Sequence, residues 1–399
     1  MGTALMLLAS PPASAPEGAA YNREMTARLD PRALTRELLA FNTINPPGME
    51  RACAMRLGQE LEGAGFRVAY HEFAEGRTSL IAVIGGAAKP PICFTGHIDT
   101  VPLGHAHWHH DAFAGETDGD RMYGRGATDM KSGIAAFVTA AVELAPGLAR
   151  GPGIVIVITA GEEIGCEGAK YLADRKLLHR AGAIVVAEPT ANYPYVGHKG
   201  LAWFEIETGG VTAHGSMPEV GDNAIVKMAR VITDLETFRF PVESHHVMGK
   251  PTLNVGTIRG GLNTNSVPDE ARITVDTRTV PGVDHIHLCA SLESLLAPRG
   301  ARVRQIVDTP ALYTDPADEW VQEVFEICTP YLDARPTPKT ITFSTDGSDL
   351  KRGFGGPPAV ILGPGEPKLA HQTDEWCSMA RIEQSVEVFR TIMRRWCAL

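Results

Sequence analysis

The sequence predicts an α/β protein into which a small α+β sandwich is inserted, and three observations predict it. The chain has 399 residues, more than one ordinary hydrophobic core accommodates, so two domains are expected. Short apolar runs rich in Val and Ile alternate with segments of helical composition, the pattern of a sheet covered by helices. From about Lys199 to Thr309 the order becomes strand, helix, strand, strand, helix, strand, and the strands alternate as half-exposed ones do. The expected division is a leader over 1–24, the main domain over 25–198 and 310–399, and the inserted domain over 199–309.

In chain order, the segment up to Ala20 has a short apolar patch but no basic n-region, so it reads as a disordered leader. LDPRALTRELLAF is a helix with Asp30 as N-cap and Pro31 in first position. MERACAMRLGQELEGAGF is a second helix, separated from the first by the turn-rich NTINPPG. RVAYHEF and SLIAVIGG alternate like strands, and PPICFTG is a short strand that ends at His97. GRGATDMKSG feeds the helix KSGIAAFVTAAVELA, which puts Asp129 just ahead of a helix N-terminus. GIVIVITAGEE and AGAIVVAEPT are strands buried on both faces, with the helix GCEGAKYLADRKLL between them.

In the insert, LAWFEIETGGV, TLNVGTIRGG, EARITVDTRTV and ARVRQIV are strands. NAIVKMARVITDLETF and GVDHIHLCASLESLLAP are its helices. PPAVILGPG and ARIEQSVEVFRTIMRRW close the chain as a buried strand and a helix.

A hydrophobic content of 44% and a charged content of 21% describe a globular protein. The net charge of −10 disfavours nucleic acid and anionic membranes as partners, while leaving room for a small anionic substrate in a cleft with its own cations. No apolar run approaches the ~18 residues of a membrane span. The seven cysteines are odd in number and none has CxxC spacing, which reads as scattered thiols in a reducing, cytoplasmic compartment. Cys166 reads as a buried structural thiol.

The chemistry gathers at strand ends. His97-Ile98-Asp99 places an imidazole and a carboxylate on one face of an extended chain, where Asp99 can reach the ring of His97. GIVIVITAG runs into Glu162-Glu163, AGAIVVA into Glu188, and PPAVILGPG leads to His371. Ligands of open α/β sheets bind beyond the carboxyl ends of the strands. Four strands and the Asp129 loop therefore deliver His, Glu-Glu, Glu, His and Asp to one edge. Asp129, Glu163 and Glu188 carry −3 against +4 for two divalent ions, and a bridging hydroxide completes neutrality. Imidazole and carboxylate without thiolate suit zinc, with cobalt or manganese possible. Two such ions at ~3.5–4 Å share a carboxylate and activate a water. Of Glu162 and Glu163, one can ligate while the other faces that water as general base.

With these residues in place the chain resembles the co-catalytic zinc hydrolases that include acetylornithine deacetylase, succinyl-diaminopimelate desuccinylase, aminoacylase and glutamate carboxypeptidase. TGHIDTVP, YGRGATDMKSG, GEEIG, AEPT, HKG, TAHGS and AHQTDE carry the resemblance, in that order, over nearly everything after the leader. It implies a zinc-peptidase-like catalytic domain, with a mixed sheet between helices, and an inserted lid and dimerisation domain. It also implies that His97 and Glu188 bind one zinc, Glu163 and His371 the other, and that Asp129 bridges them, often through a cis peptide to Met130. Asp99 would orient His97 and Glu162 would be the base.

In the lid, His214 resembles a histidine that stabilises the oxyanion, often from the partner subunit of a homodimer. Asn265 and Arg278 resemble residues that bind a substrate carboxylate, and a guanidinium suits that task. Ser344–Gly347 and Gly363–Gly365 resemble loops near the metal cleft. Two stretches depart from the pattern. Asp111-Ala112-Phe113 stands where Asp-Pro-Phe is frequent, after a loop with His105, His107, His109 and His110 that reads as solvated. STDGSDLKRG matches neither the deacetylase nor the desuccinylase form, which leaves the acyl group open. The implied function is hydrolysis of the amide bond of an N-acyl amino acid by a dinuclear zinc centre. The alternatives are a carboxypeptidase, a dipeptidase, another carbon–nitrogen hydrolase or a non-catalytic metal-binding homologue.

Overall fold

The computed structural model describes residues 29–86 and 89–399, and the leader expected over 1–24 lies outside the described residues. The chain opens with helices α1 (Pro31–Leu39) and α2 (Arg51–Gly63). Asp30 caps α1, accepting the Arg32 amide at 2.9 Å, and Pro31 fills a position whose amide would have no partner. Strands β1 (Arg67–Ala74), β2 (Arg77–Ile84) and β3 (Ile92–His97) follow, then α3 (Ser132–Leu148), β4 (Ile154–Thr159), α4 (Glu167–Asp174) and β5 (Ala183–Val186). Next come β6 (Gly200–Gly209), α5 (Ala224–Glu236), β7 (Thr252–Gly260), β8 (Glu270–Thr279), α6 (His285–Leu296) and β9 (Ala301–Thr309). The chain ends through α7 (Glu319–Cys328), α8 (Gly347–Gly353), β10 (Ala359–Ile361) and α9 (Met379–Cys397).

The larger sheet is mixed, in the order β1-β2-β4-β3-β5-β10. β1, β2 and β4 pair antiparallel, while β4, β3, β5 and β10 run parallel. Period-two alternation divides each central strand between two cores. Phe94, Ile156 and Val185 face the core shared with α1, α2, α3, α7 and α9, whereas Cys93, Val157 and Ile184 face the core shared with α4 and α8. Phe94 packs against Phe137 of α3 and Phe389 of α9 at ring separations of 6.1 and 5.6 Å. Burial on both faces explains why these strands are apolar along most of their length, with polar residues confined to their carboxyl ends. The parallel strands end together: His97 lies beside Thr159, and Thr95 and Ile361 both lie beside Val186.

The second sheet is antiparallel, in the order β7-β8-β6-β9. Its helices cover one face, where Ala202, Phe204 and Ile206 pack against Met228, Val231, Leu288 and Leu292. Asn223 and Asp284 cap α5 and α6 through side-chain oxygens. On the other face Glu205 pairs with Arg272 at 3.1 Å and Arg304 at 2.7 Å, and Glu207 with Arg302 at 2.9 Å.

The chain passes between the two sheets at 198–200 and 309–312. His198, fully buried at this junction, donates through Nδ1 to the Lys199 carbonyl at 2.8 Å and accepts the Thr345 amide at Nε2 at 3.2 Å. A second ring proton would face that amide hydrogen, and burial already pushes the imidazole down to about 4. An unfolded histidine gains a proton near pH 6.5, so this group's stability is present above that pH and is lost as pH falls towards 4. Between pH 7 and 4.5 the loss is about 2–3 kcal/mol. Urea unfolding at the two pH values measures it, and His198→Gln is expected to shrink the wild-type difference by that amount.

Candidate metal centre

The site lies at the carboxyl edge of the parallel strands. β3 ends on His97, whose Nδ1 lies 3.0 Å from the Asp99 carbonyl and 3.5 Å from the Asp99 carboxylate. The nearer partner of the ring is therefore backbone, and it fixes Nδ1 as the donor. The Asp99 carboxylate accepts the amides of Glu162 at 3.0 Å and Glu163 at 3.1 Å, and the Asn45 side chain at 2.9 Å. Burial opposes its charge, but these bonds and His97 hold Asp99 below the usual carboxylate range. Asp99 thus ties the turn after β4 to the end of β3.

Asp129 sits in a five-residue turn before α3, and its peptide bond to Met130 is cis. One carboxylate oxygen lies 3.1 Å from His97 Nε2, the other 3.5 Å from His371 Nε2. Glu188 lies 3.8 Å from His97 Nε2, and Glu163 lies 3.1 Å from His371 Nε2. Two sets result, His97–Asp129–Glu188 and Asp129–Glu163–His371, each with its donor atoms within 4.8 Å of one another. Asp129 belongs to both.

The electrostatics of this cluster call for cations. Burial, then neighbouring carboxylates, push Glu162 and Glu188 well above the usual range against the pull of His97. Burial works against a charged His97, yet Asp129, Asp99, Glu188 and Glu162 together lift it well above its ordinary value. Hydrogen bonds to Asp129 and Glu163 raise His371 to about 10. Glu163 Oε1 is buried without a hydrogen-bond partner among the described residues. The raised Glu162 and Glu188 and the raised imidazoles mark a centre rich in buried negative charge, and the nitrogen and oxygen donor set fits zinc, cobalt or manganese. Cys166 Sγ stands 3.8 Å from Glu162, its thiol is raised well above the usual range by burial, and it belongs to neither donor set.

Sequence reasoning missed the clamp behind Asp129. Glu375 Oε1 accepts the amides of Thr128 at 2.8 Å and Asp129 at 3.0 Å, and Oε2 meets Arg125 at 2.5 Å. Arg125 also donates to the carbonyls of Pro102 at 3.2 Å and His371 at 3.4 Å. Both residues lie inside quoted motifs, GRG and TDE, but only the folded chain pairs them. The adjacent Asp374 anchors the histidine-rich loop, accepting the His109 amide at 2.8 Å and lying 2.7 Å from its ring. His110 lies 2.8 Å from Glu116 and stacks on Tyr123 at 3.8 Å. Half of that loop's histidines are therefore pinned to protein rather than merely solvated.

A cleft of about 560 Å³ opens over the centre, lined also by Ile164, Leu201, Trp203, Arg278, Val307 and Phe343. Arg278 thus meets the metal-type residues across the cleft. His214 and Asn265 do not line it. They lie together in exposed loops at one end of the inserted sandwich, where the Gly215 amide donates to the Asn265 carbonyl at 2.7 Å.

Residues 93–395 match the family described as Peptidase family M20/M25/M40. The chain belongs to that family. As an M20-type enzyme it hydrolyses carbon–nitrogen bonds of the amide or peptide class. It is 31% identical to an acetylornithine deacetylase of Proteus mirabilis, over 86% of this chain and 89% of that one. It is 28% identical to a probable succinyl-diaminopimelate desuccinylase of Staphylococcus aureus, over 80% and 87% of the two chains. The fold matches an M20 family metallo-carboxypeptidase of Sulfolobus solfataricus with a TM-score of 0.77 at 17% identity, covering 93% of this chain and 100% of that one. It also matches a dinuclear metal binding peptidase of the M20 family from Bacillus subtilis with a TM-score of 0.68 at 16% identity, covering 92% and 98%.

Removing one partner of a buried ion pair leaves the other charge uncompensated, at a cost of about 3–5 kcal/mol. Glu375→Ala is expected to lose that much in urea unfolding. Glu375→Gln also leaves Arg125 without its counter-charge, so it is expected to recover only the part of the loss that belongs to the two amide bonds at Oε1.

Proposed function

We propose that this M20-family enzyme is a dinuclear metal hydrolase that cleaves the amide bond of N-acyl amino acids. The single observation that carries the reading is the pair of donor sets sharing Asp129, with Glu162 beside them and outside both. His97 and Glu188 would hold one ion, Glu163 and His371 the other, and Asp129 both, with zinc the best match to the donors. Ions so held supply Lewis acidity and a water of lowered pKa.

The chain's own groups do the rest. Arg278 binds the substrate carboxylate; its Nε is engaged by Asp276 at 3.1 Å, which leaves the terminal nitrogens of the fork for the ligand. Glu162, at the cleft floor, takes the proton of the attacking water and passes it to the departing nitrogen. His214 accepts the Ser216 amide at Nδ1 at 3.2 Å, so its proton resides on Nε2, the form that donates to a developing oxyanion.

Because His214 and Asn265 stand in exposed loops outside the cleft of their own chain, the reading includes a homodimer in which each lid completes the partner's cleft. Exposed Ile225, Ile258 and Leu262 and the edge of β7, unpaired among the described residues, support a contact of the sandwich. Seven unpaired cysteines, most of them buried, support a cytoplasmic setting. Among the described residues no helix is long and apolar enough to cross a membrane.

Glu162→Ala is expected to retain bound metal, read by elemental analysis, while turnover of N-acetyl and N-succinyl amino acids falls by roughly 10²–10⁴. Near-normal turnover would sink the role given to Glu162. The shared cleft has its own test by subunit exchange. Mixing inactive His214→Ala and Glu162→Ala proteins is expected to restore activity, since one cleft of each mixed dimer is then complete; no recovery would assign His214 to its own chain or to none.

A further inference from the structure

The open face of the lid sheet changes character along its length. Away from the centre it carries the ion pairs of Glu205 and Glu207 with Arg272, Arg302 and Arg304. Over the centre it becomes apolar. Trp203, 39% exposed, sits on β6 opposite Val307 of β9, and Leu201 sits two residues earlier on the same face, opposite Arg278 of β8. Ile164, directly after Glu163 and 46% exposed, and Phe343 face the same cleft. Large apolar side chains grouped in one cleft beside a polar centre lower the free energy when a ligand covers them.

The charges lining the cleft favour the same choice. The carboxylates lining the cleft are Asp129, Glu162, Glu163 and Glu188, all part of the centre. Asp276, the nearest acid on the lid face, is engaged by Trp203 Nε1 at 3.0 Å and Arg278 Nε at 3.1 Å. A cationic substrate side chain therefore finds no available counter-ion among the described lining residues. Apart from His371, Arg278 is the one cation among them, enough for a single carboxylate.

We propose that the amino-acid half of the substrate carries an apolar side chain, aromatic or branched, held against Leu201, Trp203 and Val307 while Arg278 holds its carboxylate. The proposal rests on the N-acyl amino acid reading above and names its substrate class. Register supports the assignment. The side chain and carboxylate of an amino acid leave the same carbon, and Leu201 and Arg278 are direct cross-strand partners with Trp203 two residues along.

The test uses the full zinc-loaded chain with N-acetyl-L-phenylalanine, N-acetyl-L-leucine, N-acetylglycine, N-acetyl-L-ornithine and N-acetyl-L-glutamate. Covering a Trp-sized surface predicts kcat/KM for the first two at least about tenfold above the last two. Calorimetry is expected to find L-phenylalanine bound more tightly than L-ornithine. Trp203→Ala is expected to raise KM for the phenylalanine substrate and to cut its preference over N-acetylglycine by about fivefold or more, with Trp203→Phe restoring most of it. Ornithine or glutamate substrates equal to or better than phenylalanine would overturn the proposal and leave the N-acyl amino acid reading standing. An apolar preference unchanged in Trp203→Ala would overturn the assignment to this wall. Hydrolysis of none of the five would overturn both.

Discussion

Four carboxylates brought together out of water at one sheet edge are the constraint on which the rest of the structure depends. Asp129, Glu162, Glu163 and Glu188 repel one another and lose hydration, costs that grow as the local dielectric falls. The protein offsets them only in part, with the imidazoles of His97 and His371. The parallel strands, buried on both faces, give the edge its rigidity. Phe94 between Phe137 and Phe389 is part of the packing that keeps the end of β3 from moving. A looser core would let the carboxylates move apart, and the two donor sets would no longer share Asp129.

A second layer of charges holds the first. Asp99 draws the amides of Glu162 and Glu163 towards the end of β3, and Glu375 draws those of Thr128 and Asp129 towards the last loop. Arg125 neutralises Glu375 and reaches the carbonyl of His371. Burial raises Glu375 to about 7 even with Arg125 beside it, a measure of how much charge the interior is asked to carry. Each acid of this layer meets backbone amides, so the layer sets the directions of the donor residues without competing for their side chains. Outer groups of this kind govern metal sites as strongly as the ligands themselves.

The fold was legible because its signals are local. Val and Ile runs mark strands buried on both faces, alternation marks the half-exposed strands of the insert, and Asp30-Pro31 marks a helix start. The centre was legible because strand ends in an α/β sheet meet at one edge, so a list of residues after strands is already a list of neighbours. The Arg125–Glu375 pair was not legible: 250 positions separate the partners, and no periodicity encodes a side-chain pairing across that distance. For Asp99 the i and i+2 relation is met, with its carboxylate 3.5 Å and its carbonyl 3.0 Å from the His97 ring, but its bonds to the amides of Glu162 and Glu163 span 63 and 64 positions and no spacing encodes them. His109 shows the effect again, since its partner Asp374 lies 265 residues away.

The two sheets divide the residues of the site between them. The chain is about equally similar to an acetylornithine deacetylase and to a probable succinyl-diaminopimelate desuccinylase. The donor residues belong to the larger sheet, where moving one costs several buried hydrogen bonds. Leu201, Trp203, Arg278 and Val307 belong to the open face of the smaller sheet, where side chains point into the cleft and strand pairing is carried by backbone alone. A substitution there alters what the cleft accepts and leaves the sheet's hydrogen bonds intact, since the packed residues Ala202, Phe204 and Ile206 occupy the alternate positions. Selectivity on the exposed face of a two-faced sheet can therefore change while the centre opposite it stays fixed.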